Sequence, residues 1–270
     1  MSDFLRISSK IEKARTLDFG DILSRSLELF KKGWLQGFLL MLIVFITMIP
    51  FIIFIYVPIY QSLIEQVGNS DYDPNSVANS LFTQDAFRYK ILGLTFVVSF
   101  LSTMLVAGFY RMLKKIDFSE NHSFLDLFYF FKAKYMGRVF AIAAFTLLIS
   151  LVNYGLEKYL PSSMASLLSV LLSVLSSVYT TLFVVFFAFN PDLEGAEIYS
   201  LAFNLGTKKW LLIFGLLLVT GVIGFLGFIA CGFGVMFTIS IVYFSPYLVY
   251  KDVVGFNHLS DIDKIGVNEN

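Results

Sequence analysis

The chain has 270 residues, of which 57% are apolar and only 15% charged, and its 20 basic and 20 acidic groups cancel. Soluble domains carry about 25% charged residues, so a water-soluble protein of this size could not cover that much apolar surface. The balanced charge excludes the basic footprint of a nucleic-acid-binding protein, and the single cysteine, Cys231, excludes an internal disulfide and a thiolate metal cluster.

The first 33 residues are charged throughout and lack a short apolar stretch ending in small residues, so no cleavable signal is expected. Within them Phe19, Ile22, Leu23, Leu27 and Phe30 fall on one helical face, with Asp18 to cap its start and Lys31, Lys32 and Gly33 at its end. Charge-free runs follow at Trp34–Gln61, Ile91–Tyr110, Val139–Leu156, Tyr159–Pro191 and Trp210–Tyr250. A spanning helix needs roughly 20 apolar residues, so the last run, punctuated by Gly221, Gly224, Gly227, Gly232 and Gly234, is long enough for two spans with a turn near Ala230–Gly232. The expectation is an all-α polytopic protein with one transmembrane domain over 1–250. Its six spans lie near 34–60, 91–110, 139–157, 164–189, 210–229 and 232–250, with an extracytoplasmic loop at 61–90 and a cytoplasmic tail at 251–270.

Lys and Arg set the orientation. Seventeen fall in the segments 1–33, 111–138, 190–209 and 251–270, against three on the other side, namely Arg88, Lys90 and Lys158. Both termini are therefore expected in the cytoplasm. Trp34, Tyr110, Tyr135, Trp210 and Tyr250 sit at the expected inner ends, as an aromatic belt requires.

Each odd-numbered span is preceded by an amphipathic stretch. Phe124, Leu127, Phe128 and Phe131 run up to Lys132, Lys134 and Tyr135; Ile198, Tyr199, Ala202 and Phe203 run up to Lys208, Lys209 and Trp210. Asn190 or Asp192 is placed to cap the third, with Glu194 and Glu197 near its first turn. A threefold repeat follows, each unit an inner-face helix and a transmembrane hairpin. Such helices lie in the headgroup layer with the apolar face down. Arg25, Lys31, Lys32, Lys132, Lys134, Lys208 and Lys209 would then face lipid or a partner.

The opening from Leu17 to Lys32, the stretch from Ala196 to Gly215, and the ending from Pro246 to Asp252 resemble three signatures of a broad bacterial family of uncharacterised polytopic membrane proteins. That family includes the membrane domain attached to some glycerophosphodiester phosphodiesterases. The resemblance covers nearly the whole chain and implies a six-helix domain of the bacterial cytoplasmic membrane. It does not carry phosphodiesterase activity, because no catalytic domain is expected in the 20 residues after Tyr250.

The charge-free runs hold no Asp, Glu, Lys, Arg or His, the usual markers of proton relays and ion paths. His122 and His258 lie in expected inner segments and are too few for a histidine metal cage. Asp71-Tyr72-Asp73-Pro74-Asn75 has alternating oxygens, but Ser76 and Phe82 stand where a calcium loop needs Gly and an acid. The fourth span carries Ser169, Ser173, Ser177 and Thr181 at intervals of four, a seam for close helix packing or the lining of a polar path. Gly221 and Gly224 read as further packing positions.

No catalytic set, cofactor site or metal cluster is read from these residues. The expected function is a non-enzymatic membrane protein that organises lipids, a protein partner or a second copy of itself at the inner face. The alternative is a carrier or channel for a small or lipophilic molecule, and a lipid-modifying enzyme is disfavoured by the missing acid–base groups.

Overall fold

The computed structural model describes residues 3–66 and 85–256, and among these every regular element is helical. The elements are α1 (Asp3–Glu12), α2 (Phe19–Gln66), α3 (Asp85–Asp117), a 3-10 turn (Phe124–Phe128), α4 (Ala133–Tyr159), α5 (Ser162–Phe189) and α6 (Gly195–Cys231). They are followed by α7 (Val235–Thr238), a second 3-10 turn (Ile239–Tyr243) and α8 (Phe244–Val253). Five helices, α2 to α6, are long and apolar enough to cross a membrane, which makes the chain a multi-pass membrane protein. The expected loop around Asp71–Asn75, His258 and residues 257–270 of the tail lie outside the described residues.

The expected sixth span, 232–250, is not a continuous helix. Gly232 turns the chain with φ +64°, a left-handed conformation natural to glycine. Gly224 and Gly227 let the returning strand of chain lie directly on α6: a Cβ on Gly224 would come within 2.9 Å of Ile239 Cα, and one on Gly227 within 2.6 Å of Gly234 O. Thr238 then donates to Gly224 O at 2.5 Å. This close seating leaves only the four-residue α7 and a 3-10 turn before α8 starts afresh, with Pro246 in its first turn, where proline is tolerated.

The lead-in stretches differ from one another. The first and third are continuous with their spans, as single helices Phe19–Gln66 and Gly195–Cys231. The third is jointed at Lys209, whose φ −122°, ψ 22° is not helical. The second is only the 3-10 turn, closed by the Asp126 carboxylate accepting from the Ser123 N–H at 2.9 Å. Asp18 caps α2 through the Asp21 N–H at 2.7 Å. At α6 the carboxylate of Glu197 accepts from the Glu194 N–H at 3.0 Å, whereas Asn190 donates to the Tyr250 hydroxyl at 2.7 Å and does not cap the helix.

The core is concentrated at the end where α2 and α6 begin and α3 and α5 finish, referred to below as the basic end. Phe109, Tyr110, Phe130, Tyr135, Phe183, Phe187, Phe244 and Tyr247 are buried there. Tyr247 and Lys251 both donate to Asp117 at 2.6 Å, and Arg25 pairs with Asp252. At the far end Arg88 meets Glu157 at 3.0 Å and Lys158 meets Asp85 at 2.8 Å, but Ile53, Tyr56 and Tyr60 of α2 and Phe225 and Ile229 of α6 lie exposed. Lipid is as apolar as these side chains, so nothing drives them together.

Candidate functional site

A cavity of about 260 Å³ opens at the basic end, where α1, the last turns of α3 and α5, and the chain after α8 converge. Five cations line it, namely Arg6, Lys10, Arg111, Lys114 and Lys115, with Glu120 as the one carboxylate on its wall. Arg6 is paired with Asp3 at 2.7 Å and Lys115 with Asp126 at 2.8 Å. Lys10, Arg111 and Lys114 have no carboxylate within ion-pair distance among the described residues.

The sequence folds to hold these groups in place. Arg111 lies over the Tyr129 ring, its Cζ 3.6 Å from the centroid, and its Nε has no partner among the described residues. The ring is positioned by the 3-10 turn, which packs on α3 at Gly108, and by the hydrogen bond from Tyr135 to Tyr129 at 3.2 Å. Lys114 lies 4.7 Å over the Phe256 ring, and Lys10 donates to Val254 O at 2.6 Å. Burial pushes the Asp126 carboxyl up, but the hydrogen bonds from Lys115 and from the Ser123 N–H outweigh it and hold the group below its ordinary value. Planar, half-buried guanidinium and neighbouring ammonium groups in a concave wall are the chemistry that recognises phosphate.

The cations expected from the sequence fare differently. Lys31, Lys32, Lys132 and Lys134 are exposed at the basic end, the last two over the rings of Tyr129 and Tyr135 at 4.6 Å. Arg25 is held by Asp21 and Asp252. Lys208 reaches the carbonyls of Ile11 and Glu12 at 3.5 and 3.3 Å, and Lys209 that of Arg15 at 2.8 Å. The final carbonyls of a helix lack partners and attract cations, so these two lysines tie α1 to the bundle. Of the cavity's own cations the sequence signalled none. Their signal was weak: α1 carries Ile7 and Ile11, both buried, at a spacing of four, with Arg6 and Lys10 beside them.

The polar seam expected on the fourth span is also redistributed. Ser173 is exposed, Ser169 and Ser177 are half-buried, and Thr181 donates to Ser177 O at 2.9 Å. A Cβ at Gly221 would meet nothing within 4 Å, so the close approach to α6 belongs to Gly224 and Gly227. Thr181 does line a cleft of about 350 Å³, but its main wall is α3, through Thr95, Ser99, Ser102, Thr103 and Tyr110. Among the described residues no group of three or more potential metal ligands is assembled. No family model, curated protein or solved structure matches the chain.

Proposed function

We propose that the chain is a non-enzymatic membrane protein that holds the phosphate of anionic lipids at the cytoplasmic face of a bacterial inner membrane. The observation that carries this is the cavity at the basic end, where Lys10, Arg111 and Lys114 converge without ion-pair partners among the described residues. A basic group close to an anionic leaflet contributes about 1 kcal/mol, and Lys31, Lys32, Lys132 and Lys134 extend the basic surface around the cavity. The excess of Lys and Arg in the segments that meet at this end supports a cytoplasmic placement. The resemblance to a broad family of uncharacterised polytopic membrane proteins is compatible with this reading.

Retention of lipid by the purified protein tests it. Native mass spectrometry of protein extracted with phosphatidylglycerol and phosphatidylcholine should show preferential retention of the former. The double substitution Arg111→Gln, Lys114→Gln should remove the preference while the thermal unfolding transition persists. Equal retention of both lipids by the unaltered protein, or an undiminished preference in the double variant, would overturn the proposal. A second reading, a carrier or channel for a small or lipophilic molecule, is favoured by the open, mostly apolar cleft along α3 with its scattered hydroxyls.

A further inference from the structure

The face of α3 that reaches the basic cavity also lines two other openings. Arg88, Thr95, Ser99, Ser102, Tyr110 and Lys114 recur at spacings that keep them on one side of a helix. Arg88 and Thr95 border a cleft of about 410 Å³ at the far end, which Asn153 and Glu157 of α4 complete. Thr95 also borders the middle cleft, so the two share a wall, and Lys114 borders the basic cavity. From Arg88 to Lys114 the helix rises roughly 39 Å at 1.5 Å per residue, more than the roughly 30 Å hydrocarbon thickness of a bilayer.

The clefts are open at the side, and their hydroxyls are set in a mostly apolar wall. Thr95, Ser99 and Ser102 at the rim are half-buried, while Thr103 and Tyr110 form a buried floor. Three buried polar atoms on residues that line these clefts have no partner among the described residues: the Tyr110 hydroxyl, Thr146 Oγ1 and Asn153 Oδ1. Tyr110 is 0% exposed. A buried hydroxyl without a partner is destabilising, and the cost is offset when a ligand supplies the missing hydrogen bond. Between the middle cleft and the basic cavity stand packed aromatic rings, with the Tyr110 centroid 6.1 Å from that of Tyr243 and 6.4 Å from that of Phe189.

We propose that this groove carries phospholipid headgroups across the bilayer while the acyl chains remain in the lipid alongside. The inference rests on the lipid-binding reading above and adds transbilayer exchange to it. Side-chain hydroxyls and the Asn153 amide replace part of the water a headgroup loses on leaving the interface. The packed rings of Tyr110, Tyr243 and Phe189 are the narrow point, and the basic cavity receives the phosphate at its end.

The experiment uses the full chain in sealed vesicles of phosphatidylcholine and phosphatidylglycerol with a trace of acyl-labelled fluorescent phosphatidylglycerol, bleached by external dithionite. Vesicles without protein should lose only outer-leaflet fluorescence; vesicles with protein should lose both. Thr181→Trp, which fills the middle cleft, should slow the second phase by about tenfold, equal to roughly 1.4 kcal/mol in barrier height. If the tryptophan variant does not fold, the near-isosteric pair Thr95→Val, Thr146→Val should slow the same phase. Three outcomes overturn the inference: no exchange beyond that of empty vesicles, full-speed exchange in a folded cleft variant, or bleaching of an entrapped water-soluble dye, which signals a pore. Lipid retention at Arg111 and Lys114, measured in the same preparations, separates the two readings. If retention persists without exchange, the groove inference falls and the binding proposal stands.

Discussion

Gly108 is where the basic cavity is most sensitive to a single methyl group. A Cβ there would overlap the Leu127 carbonyl group and come within 2.6 Å of its carbon and 2.8 Å of its Cα. All three atoms are backbone, so no side chain can swing aside and the turn Phe124–Phe128 has to move as a unit. Overpacking of this kind costs typically about 1–3 kcal/mol. The displaced turn leads directly into Tyr129, the ring on which Arg111 lies, so Gly108→Ala should lower both thermal stability and retention of phosphatidylglycerol. Gly221→Ala is the control. Its Cβ meets nothing within 4 Å, and alanine is the better helix former by up to roughly 1 kcal/mol. That variant should melt at or above the unaltered protein and retain lipid normally. The assay is thermal unfolding in detergent, followed by native mass spectrometry. A Gly108→Ala protein as stable as the parent, or equal losses in both variants, would refute the reasoning.

Three further outcomes are expected. Cysteine at Ser162 should react with an impermeant thiol reagent applied outside intact cells, in a Cys231→Ser background, and cysteine at Ser119 should not; the reverse pattern inverts the proposed orientation. Ser173→Leu should change stability by less than about 0.5 kcal/mol in thermal unfolding, because Ser173 is exposed, and a larger loss would place it in a packed seam or an unseen interface. Asp126 has a lowered folded-state value, so its contribution is present above its ordinary pKa of about 3.9 and is lost as pH falls through the lower folded value. An acid-unfolding profile of Asp126→Asn should lack that component, and a profile identical in shape to the parent's would show that the Lys115 pair contributes nothing.

Hydropathy made the membrane helices legible because each spanning run is long and charge-free. It could not reveal the break after Gly232, since the Gly234–Tyr243 segment is as apolar as a helix and its interruption comes from Thr238 bonding to Gly224 O and from backbone seated against backbone. The lead-in stretches were readable as amphipathic, but not their continuity: Gly33, which looks like a stop, is buried against Phe244, and α2 runs through it. The basic cavity was hidden because its cations come from segments far apart in sequence, and α1 is too short and charged to register as part of a membrane domain. The clefts along α3 leave little trace in the sequence because Thr95, Ser99 and Ser102 are diluted among apolar neighbours, while the fourth span's serines stand at conspicuous intervals. Lys208 and Lys209 illustrate a general limit: sequence fixes their charge and their place on a helix, but not that a neighbouring helix ends within their reach.

The lopsided packing has a mechanical consequence. With aromatic side chains and ion pairs locked together at the basic end, and α2 and α6 separating into lipid at the other, deformation of the bilayer is absorbed unevenly. Thinning or thickening tilts the loosely packed halves of these helices, while the Arg111–Tyr129 stack and the Asp117 pairings keep their geometry. The molecule is stiff where it meets the headgroups of one leaflet and compliant in the other. Changes in membrane thickness should therefore move the exposed halves of α2 and α6 and leave the cavity near Lys114 unchanged.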